Sequence, residues 1–190
     1  MKYIKLFEGF RDINDLIKKL KEFNIPIDTW NTNEYKSVDN LMQEIESDDC
    51  YLKEQDGRLV RHVDFATIVI YYKDGDGVLK LKEDRQEFSD GRVRKRNQDG
   101  VSEKMKQGEI PVESAIRGIK EELDVVVEKS QLNYIEESNK ESDSVSYPGL
   151  SAKYKKYLFK CYLNKEQFNP DGYIEVQENL KTFFKWEKEE

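Results

Sequence analysis

The stretch from Gly108 to Val125, GEIPVESAIRGIKEELDV, decides how the rest of the chain is read. Its apolar residues Val112, Ala115, Ile116, Ile119 and Leu123 fall on one stripe of a 3.6-residue helix. Pro111 suits the first helical position, where its missing N–H costs nothing. Glu113, Arg117, Lys120 and Glu121 face the other way, with Glu122 at the flank. Two adjacent carboxylates late on a buried helix, one turn after an arginine, are costly as decoration. They are oxygen donors suited to a hard divalent cation, Mg²⁺ or Mn²⁺.

Taken with the residues before it, this stretch resembles the Nudix box, G-x5-E-x7-R-E-U-x-E-E-x-G-U, where U is aliphatic. Glu109 stands at the first glutamate, Arg117 at the arginine, Glu121 and Glu122 at the paired glutamates and Val125 at the final aliphatic position. Three positions depart from the pattern. Glu103 replaces the opening glycine, Gly118 replaces the glutamate after the arginine, and Asp124 replaces the last glycine. A longer pattern, running from Arg85-Gln86 through Asp90-Gly91-Arg92 and Ser102-Glu103-Lys104, is similar to a divergent Nudix-like subgroup. That likeness spans residues 28–188, with Tyr147-Pro148-Gly149-Leu150 and Phe184-Lys185-Trp186 included.

The resemblance implies an α/β (α+β) fold: an α/β/α sandwich with a mixed β-sheet. It also implies metal-dependent hydrolysis of a nucleoside diphosphate linked to another group. Glu121 and Glu122 would be the metal ligands, and Glu109 a third ligand or an orienting acceptor. Arg117 would hold a box carboxylate in place, and Lys104, Arg85, Arg92 and Arg94 would meet substrate phosphate. Gly118 removes a carboxylate and costs roughly 1 kcal/mol of helix propensity relative to alanine. Either another group approaches closely there, or Glu103 projects its carboxylate into the vacated space. The resemblance implies a pyrophosphohydrolase acting on a small nucleotide, or a Nudix-like module that binds a nucleotide or a protein without turnover; a structural or virion role is the third reading.

Composition sets the frame. The chain has 190 residues, a net charge of −7, 37% charged residues and 12% aromatics. This allows one domain of usual size with an appendage. The acidic balance argues against broad nucleic-acid binding. Cys50 and Cys161 show no metal spacing and no disulfide framework, which fits a reducing, cytoplasmic setting. No apolar run is long enough to span a membrane.

Along the chain, residues 10–23 carry Ile13, Leu16, Ile17, Leu20 and Phe23 at helical spacing, and Pro26 ends that element. A second helix is expected from Val38 to Ile45, capped by Ser37. Trp30 lies between them, either plugging a groove or stacking on a ligand. Residues 1–47 are read as an N-terminal helical appendage and 48–190 as the Nudix-like domain. Leu6-Phe7-Glu8-Gly9 is similar to tailed-phage prohead protease sites, or is a plain lead-in. Asp56-Gly57 signals a hairpin, and Leu59 to Tyr72 a central strand. His62, the sole histidine, has no nearby partner in sequence and reads as packed or surface. Val78–Lys82 alternates as a strand.

Five of the twelve residues from Arg85 to Arg96 are basic. If residues 91–96 form a strand, Arg92, Arg94 and Arg96 share a face, as phosphate forks or as a solvated edge. Residues 97–107 read as a loop, 124–128 as the start of a strand and 136–146 as a mobile polar loop. Tyr154–Leu163 reads as a strand, Lys165–Phe168 as a short helix capped by Asn164, and Thr182–Trp186 as a last strand.

Overall fold

The structure, a computed structural model, describes residues 5–6, 10–32, 34–75 and 77–189. The tetrapeptide at residues 6–9 lies largely outside them. In chain order the first half runs β1 (Lys5–Leu6), α1 (Ile13–Glu22), α2 (Val38–Glu46), β2 (Tyr51–Gln55), β3 (Arg58–Asp74), β4 (Gly77–Phe88) and β5 (Val93–Arg94). The second runs β6 (Val101–Lys104), α3 (Pro111–Leu123), β7 (Leu132–Asp143), β8 (Ser151–Leu163), β9 (Tyr173–Gln177) and β10 (Leu180–Lys188). It is a mixed α+β architecture. The chain divides into two compact units. The first holds Met1–Asp64, Lys104–Glu109 and Ser138–Lys156; the second holds Phe65–Glu103, Ile110–Glu137 and Tyr157–Glu190.

In the first unit, α1 starts where the Asp12 side chain accepts from the amides of Asn14 and Asp15. Ser37 and Asn40 exchange side-chain and backbone bonds in a capping box that starts α2. The hairpin of β2 and β3 turns at Asp56 and Gly57, with φ of 52° and 75°. Positive φ at both central residues matches the right-handed twist of the strands. Leu16 and Leu20 of α1 and Leu41, Met42 and Ile45 of α2 bury in one cluster with Cys50, Leu52, Leu59, Val63, Tyr147 and Leu150. The helices read from sequence as an appendage therefore share their core with later strands and with the 147–150 turn. Trp30 is 4% exposed and belongs to this cluster. Its indole N–H donates to the Pro148 carbonyl at 2.9 Å, and its ring lies 5.1 Å from that of Tyr147. Glu44, itself buried, bridges Arg61 at 2.5 Å and Lys36 at 2.6 Å. Those cations hold its carboxyl at about 2, against the opposing effect of burial.

In the second unit, β3 turns back into β4, β4 pairs with β10, and β10 with β9, all antiparallel. The β4–β10 register shifts at Phe183/Phe184, an irregularity of the bulge type. Ala115, Ile119 and Leu123 of α3 pack with Ala66, Ile68, Ile70 and Leu81 of the sheet. Gly100 has φ +62°, and a Cβ there would lie 1.8 Å from the Ile68 carbonyl oxygen, so only glycine lets β6 start so close to β3.

Several expectations change. Residues 136–143 are part of β7, not a mobile loop: β7 pairs with β8 and leaves nearly every side chain in water, so composition carries no sign of it. Residues 101–104 of the expected loop form β6. Residues 124–128 are irregular rather than a strand; Val125 and Val127 are buried and Val126 is exposed, without a ladder. Asn164 caps a single turn by accepting from the amides of Glu166 and Gln167, and no helix follows. The strand β9 was not anticipated.

Candidate functional site

Helix α3 begins at Pro111 without a side-chain cap and ends at Asp124, which takes the left-handed conformation at φ 56°. That is the position where the box has glycine, and aspartate is among the residues that tolerate this region. Lys120 pairs with the Asp124 carboxylate one turn away.

The two departures at the heart of the box meet in space. A Cβ at Gly118 would stand 2.5 Å from the Cβ of Glu103 and 3.2 Å from its Cγ. Gly118 is fully covered, and Glu103 on β6 fills the room a side chain there would need. Arg117 donates from Nη1 to Glu103 at 2.7 Å and to Glu121 at 3.4 Å. The Glu103 carboxylate thus belongs to the α3 surface, held by the arginine next to Gly118.

Glu122 sits in a different field. Its carboxyl is pushed up to about 8, first by burial and then by the charges of Glu175 on β9 and Glu103; a bond from the Ser102 backbone and the charge of Arg96 act the other way. Glu175 was not singled out from sequence, and the missed strand β9 was the signal that would have exposed it. Arg96 is gripped by the buried carboxylate of Glu83.

The arginine row does not form as a single face. Only Val93 and Arg94 are strand. Arg92 pairs with Asp90 at 2.7 Å, and Arg94 donates from Nε and Nη2 to Gln86 at 3.1 and 2.5 Å. Arg85 meets Glu87 at 2.7 Å and Asp84 at 2.9 Å, with its guanidinium 3.9 Å from the Phe183 ring centroid. Each fork already has an acceptor on the protein, supplied by a residue beside it in sequence or by the neighbouring strand β4.

Lys104 and Glu109 belong to the first unit. Lys104 Nζ lies 3.4 Å from Glu44 and 3.8 Å from Asp49. Glu109 accepts from the Lys106 amide at 2.9 Å while its own amide donates to the Lys106 carbonyl, which closes the turn around Gly108. Among the candidates, then, Glu103, Arg117 and Glu121 form one ion-paired group, and Glu103 and Glu122 act on each other electrostatically. Among the described residues, no three His, Cys, Asp or Glu side chains converge as a metal cage.

No protein-family model and no curated protein matches the chain. Similar chain paths occur in solved structures. A MutT/nudix family protein from Enterococcus faecalis aligns at 14% identity and a TM-score of 0.47 over 66% of this chain and 43% of its own. The E. coli dihydroneopterin triphosphate pyrophosphohydrolase aligns at 23% identity and 0.41, covering 65% and 78%. The C. elegans Ap4A hydrolase aligns at 22% and 0.36, covering 66% and 80%. The chain thus spans less than half the length of the first of these.

Proposed function

We propose that this protein is a divergent Nudix-type pyrophosphohydrolase acting on a nucleoside diphosphate linked to another group, with Mg²⁺ or Mn²⁺. The observation that carries the reading is the paired exchange at Glu103 and Gly118. A carboxylate lost from the helix is matched by one on β6, whose Cβ and Cγ fill the vacated position and whose carboxylate is held by the box arginine. Random decay of a box has no reason to pair a lost carboxylate with a gained one on the strand packed against it.

A divalent cation fits the donor set on one ground. Burial and the neighbouring carboxylates Glu175 and Glu103 make the charged form of Glu122 costly, and a cation beside it would offset that cost. Mg²⁺ needs only one or two carboxylates, with water and phosphate oxygens completing its shell. Glu121 and Glu122 would hold it. A metal held there would supply charge to offset the negative pyrophosphate oxygens. Arg117 fixes Glu103, which takes over orientation of the attacking water. Arg92, 70% exposed at its side chain, can swing from Asp90 to a phosphate; Arg85 and Arg94 would have to exchange a protein acceptor for the substrate. No described helix is long and apolar enough to cross a membrane, and the buried free thiols Cys50 and Cys161 go with a cytoplasmic setting.

A second reading, nucleotide binding without turnover, draws on one observation: Arg117 already pairs with both Glu103 and Glu121. The test is release of nucleoside monophosphate from a panel of nucleoside diphosphate derivatives and triphosphates, with Mg²⁺ or Mn²⁺. Turnover that vanishes in Glu121→Gln/Glu122→Gln supports the hydrolase. Folded protein without turnover on any substrate favours the binding module.

A further inference from the structure

The first unit holds a cleft of about 520 Å³ that uses none of the box carboxylates. That size is within the range of small-ligand sites. Its wall begins with Tyr51 of β2 and His62 of β3, directly opposed in the ladder and stacked at 4.8 Å with 12° between their planes. Tyr154 of β8 adds a third ring. The sole histidine of the chain is therefore part of an aromatic surface and not an isolated packed residue.

The charge of the cleft runs against that of the protein. Lys140, Lys153 and Lys155 line it, against Asp64 and Glu141, in a chain of net charge −7. Glu141 is also neutralised from outside the cleft by Arg58 at 3.0 Å. Lys153 donates to Gln55 at 2.8 Å and lies 3.4 Å from Glu141, which sets its ammonium group at the wall. His62 Nε2 is buried and meets no hydrogen-bonding group of the protein.

We propose that this cleft binds a phosphorylated planar heterocycle of the nucleoside monophosphate class. The ring lies against the Tyr51–His62 pair and Tyr154, and the phosphate is met by Lys140, Lys153 and Lys155. Stacking on an aromatic platform tolerates any base, so discrimination among bases comes from groups such as Asn139 at the rim.

The experiment titrates AMP, GMP, CMP and UMP into the full chain in the presence of a chelator, and follows the ring protons of the lone histidine by NMR. Saturable shifts of the His62 resonances are expected for at least one of them. Tyr51→Ala should weaken binding by about tenfold or more. Lys140→Gln, at an exposed position, should weaken it without disturbing the fold, and it keeps the test decisive if Tyr51→Ala misfolds. Glu121→Gln/Glu122→Gln should bind as wild type, so failure of the hydrolase reading leaves this outcome untouched. Unmoved His62 resonances at millimolar nucleotide would overturn the proposal. So would unchanged affinity in both variants, or equal binding of inorganic phosphate or of the unphosphorylated nucleoside.

Discussion

Replacing Gly118 by alanine should destabilise this protein, although the same change in most helices stabilises. The propensity gain is roughly 1 kcal/mol. Against it stands a Cβ placed 2.5 Å from the Cβ of Glu103. That neighbour is rooted in β6 and cannot rotate away, so the strand or the helix must shift. Overpacking of this kind costs about 1–3 kcal/mol, and a contact this close belongs near the upper end. The net loss is about 2 kcal/mol. For a chain of this size it lowers Tm by about 4–8 °C. The sign should reverse in a Glu103→Gly background, where the clash disappears and Gly118→Ala regains its propensity, raising Tm by about 2–4 °C. Glu103→Ala should not reverse it, because the obstructing Cβ remains. Thermal unfolding of the three single and two paired variants, followed by circular dichroism, decides the matter. A Gly118→Ala variant more stable than wild type would refute the close approach, and with it the claim that the two box departures are one coupled exchange.

Two further outcomes follow from the first unit. Glu44→Gln leaves the buried Arg61 guanidinium without its counter-charge and should cost about 3–5 kcal/mol, read as a lower urea midpoint at pH 7. Because the Glu44 carboxyl is held at about 2, its contribution is present above the unfolded value near 4.5 and is lost as pH falls from there towards 2; the variant should lack that part of the acid sensitivity. His62 is lowered to about 4, first by burial and then by Lys53 and Lys153, so its ring protons should stay unmoved from pH 8 to pH 5. The neutral ring favours the folded state above about pH 6.5, and that contribution should fade as pH drops towards 4, where NMR should see the ring begin to titrate.

What could be read in advance divides by the range of the forces involved. Helix α3 was legible because its apolar stripe and Pro111 are local signals, and the Asp56–Gly57 hairpin because φ is positive at both turn residues. Strand β7 was not, since an edge strand can hold its backbone in a ladder while its side chains stay wet. The run at 125–127 misled for the opposite reason: its β-branched residues suit a ladder, but the left-handed Asp124 leads into irregular backbone. The arginine row failed as a shared face because Glu83 and Gln86, on another strand, draw its members apart. Glu103 and Gly118 were visible as two departures from one pattern. Their contact depends on how β6 lies against α3, which spacing alone does not fix.

The three-part make-up of the first unit has a consequence for the chain as it is being made. Leu16, Leu20 and Leu41 leave the ribosome early, yet Tyr147 and Leu150 complete their cluster only after about a hundred more residues have been added. At typical elongation rates of about 5–20 residues per second, that interval is on the order of ten seconds. Throughout it, two amphipathic helices and Trp30 lack their final cover while the whole intervening stretch emerges. Newborn chains stalled before residue 147 should therefore be the form that chaperones hold and proteases cut, and release past Leu150 the point at which both lose their grip.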